Sequence, residues 1–373
     1  MDPAAGEMPP SAPLHALFVV DEDVVHRFGA TIRQLAVGFV DESIRVTVLG
    51  PAGLDVEPLL VGAAKWVPHG SLRWPLRNRT LRAVVDALGA DEPDVIHAMS
   101  GRTAELARAV AEPLELPLIV QLTGRDEIAA IEAAREGEQT RYIAISGPLL
   151  DAARQALGDQ ADRATLVHPG IHARKVPACF SDPDRTTTLL SLTRFHGQHG
   201  LDPFLEAIRD LIESGRELMV FLMGTGPLEP QIRRRVISLG LLKTVTLTGP
   251  VTNRLATLDA VDIFVSTRPQ SELRVQPLEA MAAGVAIVAA RGGVDDYMID
   301  EQTALLFDPA SPAQLGLQLG QLLEHRDLAR RLAAAAQEHV RHHHQPSAMV
   351  ASVVALYRRL ALKQRTVKLR QPS

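Results

Sequence analysis

The chain has 373 residues, a formal net charge of −5, 46% hydrophobic and 22% charged residues. That composition fits a soluble globular protein of two or three domains at ~150 residues each. The mild negative charge argues against whole-chain nucleic-acid binding, so no nucleic-acid partner is expected. One cysteine, Cys179, excludes an internal disulfide framework and points to a reducing, cytoplasmic setting.

The opening MDPAAGEMPPSAPLH carries acids and prolines where a signal peptide has a basic and then an apolar region, so residues 1–13 are expected to be a disordered tail. No run reaches the ~20 apolar residues of a spanning helix. Buried strands are predicted at 14–20, 44–50, 94–99, 116–122, 141–146 and 164–168, with helices such as 101–112 and 147–158 between them. Strands alternating with helices predict a parallel sheet covered on both faces. The acids of DED (21–23) follow the first strand and read as solvated loop residues, with no metal expected. The stretch KWVPHGSLRWPLRNRTLR (65–82) interleaves basic and aromatic residues. It suits an anionic membrane surface, and it suits equally a variable loop followed by a solvated helix face.

Pro169, Gly170, Pro177 and Pro183 break the pattern, which places a domain junction within 167–185. A second alternation follows. Strands are predicted at 187–193, 217–224, 243–249, 261–267, 285–290 and 303–307, and helices at 201–215 and 227–240. In the latter, Ile232, Val236 and Leu239 share a face. RHHHQ (341–345) reads as a solvated helix end, because consecutive helical residues point apart and do not share a metal. A last helix at 346–363, with Ser347 as N-cap, exposes Val350, Val353, Val354 and Tyr357 to a partner surface. The basic tail KQRTVKLR (363–370) reads as solvated.

In doubly wound sheets, ligands gather outside the carboxyl ends of strands. The most informative such junction is SELRVQPLEAMAAGVAIVAARGG (271–293). Pro277 suits a first helical turn and Gly284 a helix end, which puts Glu279 in the first turn beside open N–H groups. There it either accepts ribose hydroxyls or simply caps its helix.

Several segments in order resemble family 4 (group 1) glycosyltransferases: SLTRFHGQHGLDPFLEAI, MGTGPLEPQI, LGLLKTVTLTGPV, PLEAMAAGVAIVAARGG and LLFDPASPAQLGLQLGQLL. PDVIHAMSG, YIAIS and VHPGI add a weaker likeness, and the whole spans about residues 14–360. The resemblance implies an α/β GT-B fold: a Rossmann-like acceptor domain (14–175), a Rossmann-like donor domain (176–345), an interdomain cleft, and a C-terminal helix (346–363) crossing back to the first domain. It implies retaining transfer of a hexosyl group from a nucleoside diphosphate sugar to an acceptor hydroxyl, without a metal or separate cofactor. The partners implied are the nucleotide sugar and a glycan or lipid-linked acceptor, with peripheral contact at the inner membrane face.

By the same resemblance, Arg194 holds the donor diphosphate, Glu279 binds the nucleotide ribose, and Gly224 and Gly226 let backbone pass close to the donor. The family's lysine is His199 here, and its first paired glutamate is Ser271, with Glu272 and Arg274 in place of small residues. His199 and Arg274 restore positive charge, the first only in part near neutral pH. Thr123 replaces a cleft histidine, and Met99 the second histidine of a pair that keeps His97. A catalytically inactive nucleotide-sugar binder or scaffold on the same fold is the alternative. An epimerase or phosphorylase ranks last, because no segment resembles a pyridoxal-phosphate lysine site.

Overall fold

The computed structural model describes residues 13–73, 75–89, 91–133, 140–174, 176, 179–182, 184–196, 200–249 and 254–370. Residues 1–12 and His199, both subjects of the sequence reading, lie outside them. The backbone divides into two compact units, Met1–Gly170 with Pro346–Ser373, and Ile171–Gln345.

The first unit runs β1 (Leu14–Val19), α1 (Glu22–Asp41), β2 (Ile44–Pro51), β3 (Lys65–His69), α2 (Arg77–Gly89), β4 (Val95–Ala98), α3 (Ala104–Leu114), β5 (Leu118–Leu122), α4 (Ile128–Ala133), β6 (Thr140–Ala144), α5 (Gly147–Leu157) and β7 (Ala164–Leu166). Its seven strands are ordered β3-β2-β1-β4-β5-β6-β7, and neighbouring strands pair in parallel. All six residues of β1 are buried, as expected for a parallel strand covered on both faces. Lys65–His69, read from sequence as a loop, is the edge strand. Pro68 is tolerated there because an edge strand leaves part of its N–H row unpaired.

The second unit runs β8 (Thr187–Leu192), α6 (Leu201–Glu213), β9 (Leu218–Met223), α7 (Glu229–Ser238), β10 (Val245–Thr248), α8 (Arg254–Leu258), β11 (Ile263–Ser266), α9 (Val275–Ala283), β12 (Ala286–Ala290), β13 (Leu305–Phe307), α10 (Ala313–Glu324) and α11 (Arg326–His343). Its six parallel strands are ordered β10-β9-β8-β11-β12-β13. Helix α6 buries Leu201, Phe204, Leu205, Ala207 and Ile208 on one stripe, and α7 buries Ile232 and Val236 as predicted. The irregular segment before β8 is pinned by Asp262. This buried carboxylate accepts from the Phe180 amide (2.7 Å), the Thr188 amide (2.9 Å) and the Arg185 guanidinium (2.7 Å). A carboxylate satisfied by three donors is a stable buried charge.

Helix α12 (Pro346–Arg370) belongs to the first unit. It starts one residue before Ser347, which is therefore helical and not the N-cap expected. Val350, Val353, Val354 and Tyr357 are buried, and the Tyr357 ring meets Phe39 of α1 edge-on at 5.4 Å. The histidine run is also corrected. His342 is exposed, whereas His344 turns inward, 1% exposed, with its ring edge-on to Tyr297 at 5.9 Å. Among the described residues no helix is long and apolar enough to cross a membrane.

Candidate functional site

Each sheet reverses its winding at one place, between β1 and β4 in the first unit and between β8 and β11 in the second. The crevice at such a reversal, beyond the carboxyl ends of the strands, is where this architecture binds ligands. Arg194 follows β8, and Arg268, Ser271, Glu272 and Arg274 follow β11, so both loops flank the second unit's reversal.

The β8 loop is shaped by the turn after β9. The Phe195 amide donates to the Thr225 carbonyl (2.9 Å) and the Leu228 amide to the Phe195 carbonyl (3.0 Å). A Cβ at Gly224 would overlap the Thr193 carbonyl oxygen, and one at Gly226 (φ +155°) the Phe195 carbonyl oxygen. Only glycine allows two backbones this close. The glycines thus let this turn pack directly against the loop that carries Arg194.

Three guanidinium groups share one field here. Burial pushes Arg274 below the usual arginine range, the charges of Arg268 and Arg194 push the same way, and Glu272 and Asp295 oppose them. Arg268 is lowered by burial and by Arg194, and supported by Glu272. Like charges are held together only when something else fixes them. Arg194, Glu272 and Arg274 thus act on one another, together with Arg268, Asp295 and Tyr297. The Tyr297 hydroxyl donates to the Arg274 carbonyl at 2.9 Å. Ser271 is exposed.

Glu279 departs from expectation. Helix α9 begins at Val275, with Arg274 as its N-cap, so Pro277 is the third helical residue and Glu279 the fifth. Glu279 thus lies in the second turn, ~7 Å along the axis from Arg274, and is 8% exposed. The helix-capping role is thereby removed, because the open N–H groups belong to the first turn. Gly284 does end the helix, in the left-handed conformation at φ +76°.

At the first unit's reversal, Glu22 is exposed, but Asp21 and Asp23 are not solvated loop residues. The Asp21 side chain accepts from the Val24 amide (2.7 Å) and caps α1. Asp23 pairs with Arg27 (2.7 Å) and Arg102 (3.1 Å). Thr123 is fully buried. Its amide and hydroxyl donate to Glu127 (2.5 and 3.1 Å), and Arg27 donates to its hydroxyl (3.3 Å). Burial pushes the Glu127 carboxyl up, against those donors and the Arg27 charge. Arg27 and Glu127 had no signal in the sequence, since a pair 100 residues apart shows no spacing. Among the described residues no three metal-ligating side chains cluster.

Residues 28–189 match the family described as "Glycosyl transferase 4-like domain", and residues 186–325 match "Glycosyl transferases group 1". Among curated relatives, an alpha-D-kanosaminyltransferase of Streptomyces kanamyceticus is 24% identical over 84% of this chain and 87% of its own length. The sulfoquinovosyl transferase SQD2 of Arabidopsis thaliana is 23% identical over 71% of this chain, which spans only 56% of that relative. Among solved structures, a glycosyltransferase from Rickettsia africae superimposes with TM-score 0.77 at 13% identity, covering 93% of this chain and 98% of that one. Anabaena HepE, solved with UDP and glucose, superimposes with TM-score 0.76 at 17% identity, covering 92% and 99%. Two successive family matches on two Rossmann-like units of this topology leave one conclusion: the chain belongs to the group 1 glycosyltransferases and has the GT-B fold.

Proposed function

We propose that the protein transfers a sugar, with retention of configuration, from a nucleoside diphosphate sugar to an acceptor hydroxyl. The observation that carries this reading is the cluster of Arg194, Arg268 and Arg274 in one field at the reversal of the second sheet. Guanidinium groups match phosphate oxygens and cannot lose their charge at neutral pH. They would hold the donor diphosphate and offset the negative charge that grows on it as the glycosidic bond breaks. His199 would add charge in its protonated form, and Glu279 would accept the ribose hydroxyls. HepE was solved with UDP and with UDP-glucose, which makes UDP sugars the first donors to try.

The acceptor is read as a glycan or a lipid-linked sugar. Arg73, Arg77, Arg79 and Arg82 are exposed around the start of α2 and would favour an anionic membrane surface. Sedimentation with vesicles containing anionic lipid, against neutral vesicles, tests that contact.

One observation favours the inactive alternative. Thr123, at the position of the family's cleft histidine, is turned inward onto Glu127. The deciding experiment is calorimetric binding of UDP, GDP and ADP and their glucose or mannose esters, followed by hydrolysis and transfer assays on each that binds. Turnover abolished by Arg194→Ala is the expected result. A sugar nucleotide that binds well and is never turned over makes the protein a binder.

A further inference from the structure

A groove of about 350 Å³ runs between the edge strand β3 and helix α2. That volume is in the range of sites for small organic ligands. Its walls are formed by Val67, Pro68, Leu76, Ala83, Val84 and Ala87. The polar side chains between them are engaged within the first unit. The His69 Nδ1 donates to the Gly70 carbonyl (2.8 Å), and the Thr80 hydroxyl donates to the Ser71 carbonyl (2.9 Å). Leu76, though large and apolar, is 50% exposed. A concave apolar surface of this size marks a place of binding.

Three observations choose the occupant. The Ala52 amide donates to the His69 carbonyl at 2.9 Å, so the backbone of His69 faces β2 and, by alternation, that of Pro68 faces the free edge. Proline offers no N–H there, so a peptide strand added to this edge would lose a ladder bond. A hydrocarbon chain needs no hydrogen bonds and suffers no such loss. Next, Arg79 lies in the groove wall, and Arg73 and Arg82 are exposed before and after it. Arg77 is paired with Glu105 (2.6 Å), but among the described residues no carboxylate pairs with Arg73, Arg79 or Arg82, and Asp86 is the sole acid of α2. That excess of positive charge is complementary to an anion. Last, the β3–α2 connection leaves the carboxyl end of β3. The Leu76–Arg79 end of the groove is therefore on the side of the sheet where ligands gather, and the Ala87 end points the other way. An apolar channel with cations at one end fits an amphiphile with an anionic head.

We propose that this groove takes one hydrocarbon chain of an anionic membrane phospholipid, with the lipid phosphate held by Arg79. The proposal rests on the membrane contact read above and goes further. Charge alone draws the arginines to any anionic surface, whereas the groove seizes an individual lipid molecule. A buried chain and a basic patch together hold a protein at a bilayer where either alone is marginal. The seated head group also turns the carboxyl ends of the first unit's strands toward the membrane.

The test uses the full chain and soluble lipids below their micelle concentrations, by calorimetry. The probes are dihexanoylphosphatidylglycerol, diheptanoylphosphatidylglycerol and dihexanoylphosphatidylcholine. One more methylene in the groove should tighten wild-type binding about fourfold from the hexanoyl to the heptanoyl lipid. Ala87→Phe and, separately, Ala83→Phe fill the groove from exposed positions of α2. Each should weaken binding and lose the chain-length gain. Arg79→Gln should keep the gain and lose the preference for phosphatidylglycerol over phosphatidylcholine. Equal affinity for the two chain lengths in wild type overturns the proposal, as does a folded Phe variant that keeps wild-type affinity and gain. If neither Phe variant folds, Arg79→Gln decides: an unchanged head-group preference overturns it. A wild-type dimer that Ala87→Phe separates would make a second copy the occupant and also overturns it. Sedimentation with phosphatidylcholine vesicles, with and without phosphatidylglycerol, separates the groove from the reading beneath it. Wild type and Ala87→Phe bound equally to the anionic vesicles sink the groove alone, whereas wild type bound to neither vesicle sinks both.

Discussion

Acidification should destabilise the first unit through His97. This histidine is 0% exposed, its Nδ1 lies 2.7 Å from the Tyr357 hydroxyl, and its Nε2 is buried with no hydrogen-bond partner. Phe18 and Tyr357 enclose the ring edge-on, each at 5.9 Å. Burial pushes its pKa down from 6.5 to about 3. The folded value is below the unfolded one, so the unfolded chain binds the extra proton. Stability is then complete above about pH 6.5 and is lost as pH falls toward 3. At about pH 5 the unfolded histidine is almost fully protonated and the folded one is not, a difference of about 2 kcal/mol. In a unit of this size that corresponds to about 4–8 °C in Tm. Melting by circular dichroism near pH 8 and pH 5 measures it, with His97→Asn as the control. The asparagine amide oxygen can accept from Tyr357 but does not titrate. The variant should melt lower near pH 8, where it has lost ring contacts, and lose about 4–8 °C less than wild type on acidification. Carboxylates contribute equally to both proteins and cancel. Equal losses in the two would refute the reasoning.

Three further outcomes are expected. Glu279→Ala should weaken a bound nucleotide about tenfold or more, the loss of hydrogen bonds to a charged acceptor, by calorimetry; unchanged affinity removes its ribose role. Gly224→Ala should lower stability by about 1–3 kcal/mol, because the added methyl displaces the Thr193 carbonyl, and should weaken donor binding with it. A variant with wild-type melting and affinity would show that the turn does not set the Arg194 loop. Transfer should slow as pH rises and recover at high pH in His199→Lys, since protonated imidazole stabilises the departing diphosphate better than neutral imidazole. A pH–rate profile in which the two proteins coincide removes His199 from the reaction.

Both sheets were legible because parallel strands buried on two faces leave continuous apolar runs, such as Leu14–Val19 and Ala286–Ala290. Lys65–His69 escaped because an edge strand is half solvated and this one holds a proline. Pro277 does lie in the first turn of α9, at the third position, where its missing N–H has no helical partner, but the helix opens two residues earlier at Val275 and so carries Glu279 into the second turn. Arg194 and Arg274 were singled out through the resemblance to the glycosyltransferase family, and they lie in the loops after β8 and β11. Asp295 could not be found, since an acid after two glycines in a strand-to-strand connection has the sequence signature of a solvated loop. Its burial comes from the Gly293–Gln270 and Tyr297–Arg274 clamps, which join residues 23 apart and leave no periodic trace. Asp23 was misjudged for the same reason, because Arg102 lies 79 residues away.

The proposed donor site rests on the charges gathered in the second unit. The glycines at 224, 226 and 293 are needed by the fold itself, because two loops approach within contact distance at the sheet reversal. Arg274 differs, since holding its guanidinium beside Arg268 and Arg194 costs stability. Around these groups stand two carboxylates, Glu272 and Asp295, that offset the concentrated positive charge. Under the proposed function, Arg194, Arg268 and Arg274 supply the positive charge that a diphosphate requires, and Glu272 and Asp295 temper it.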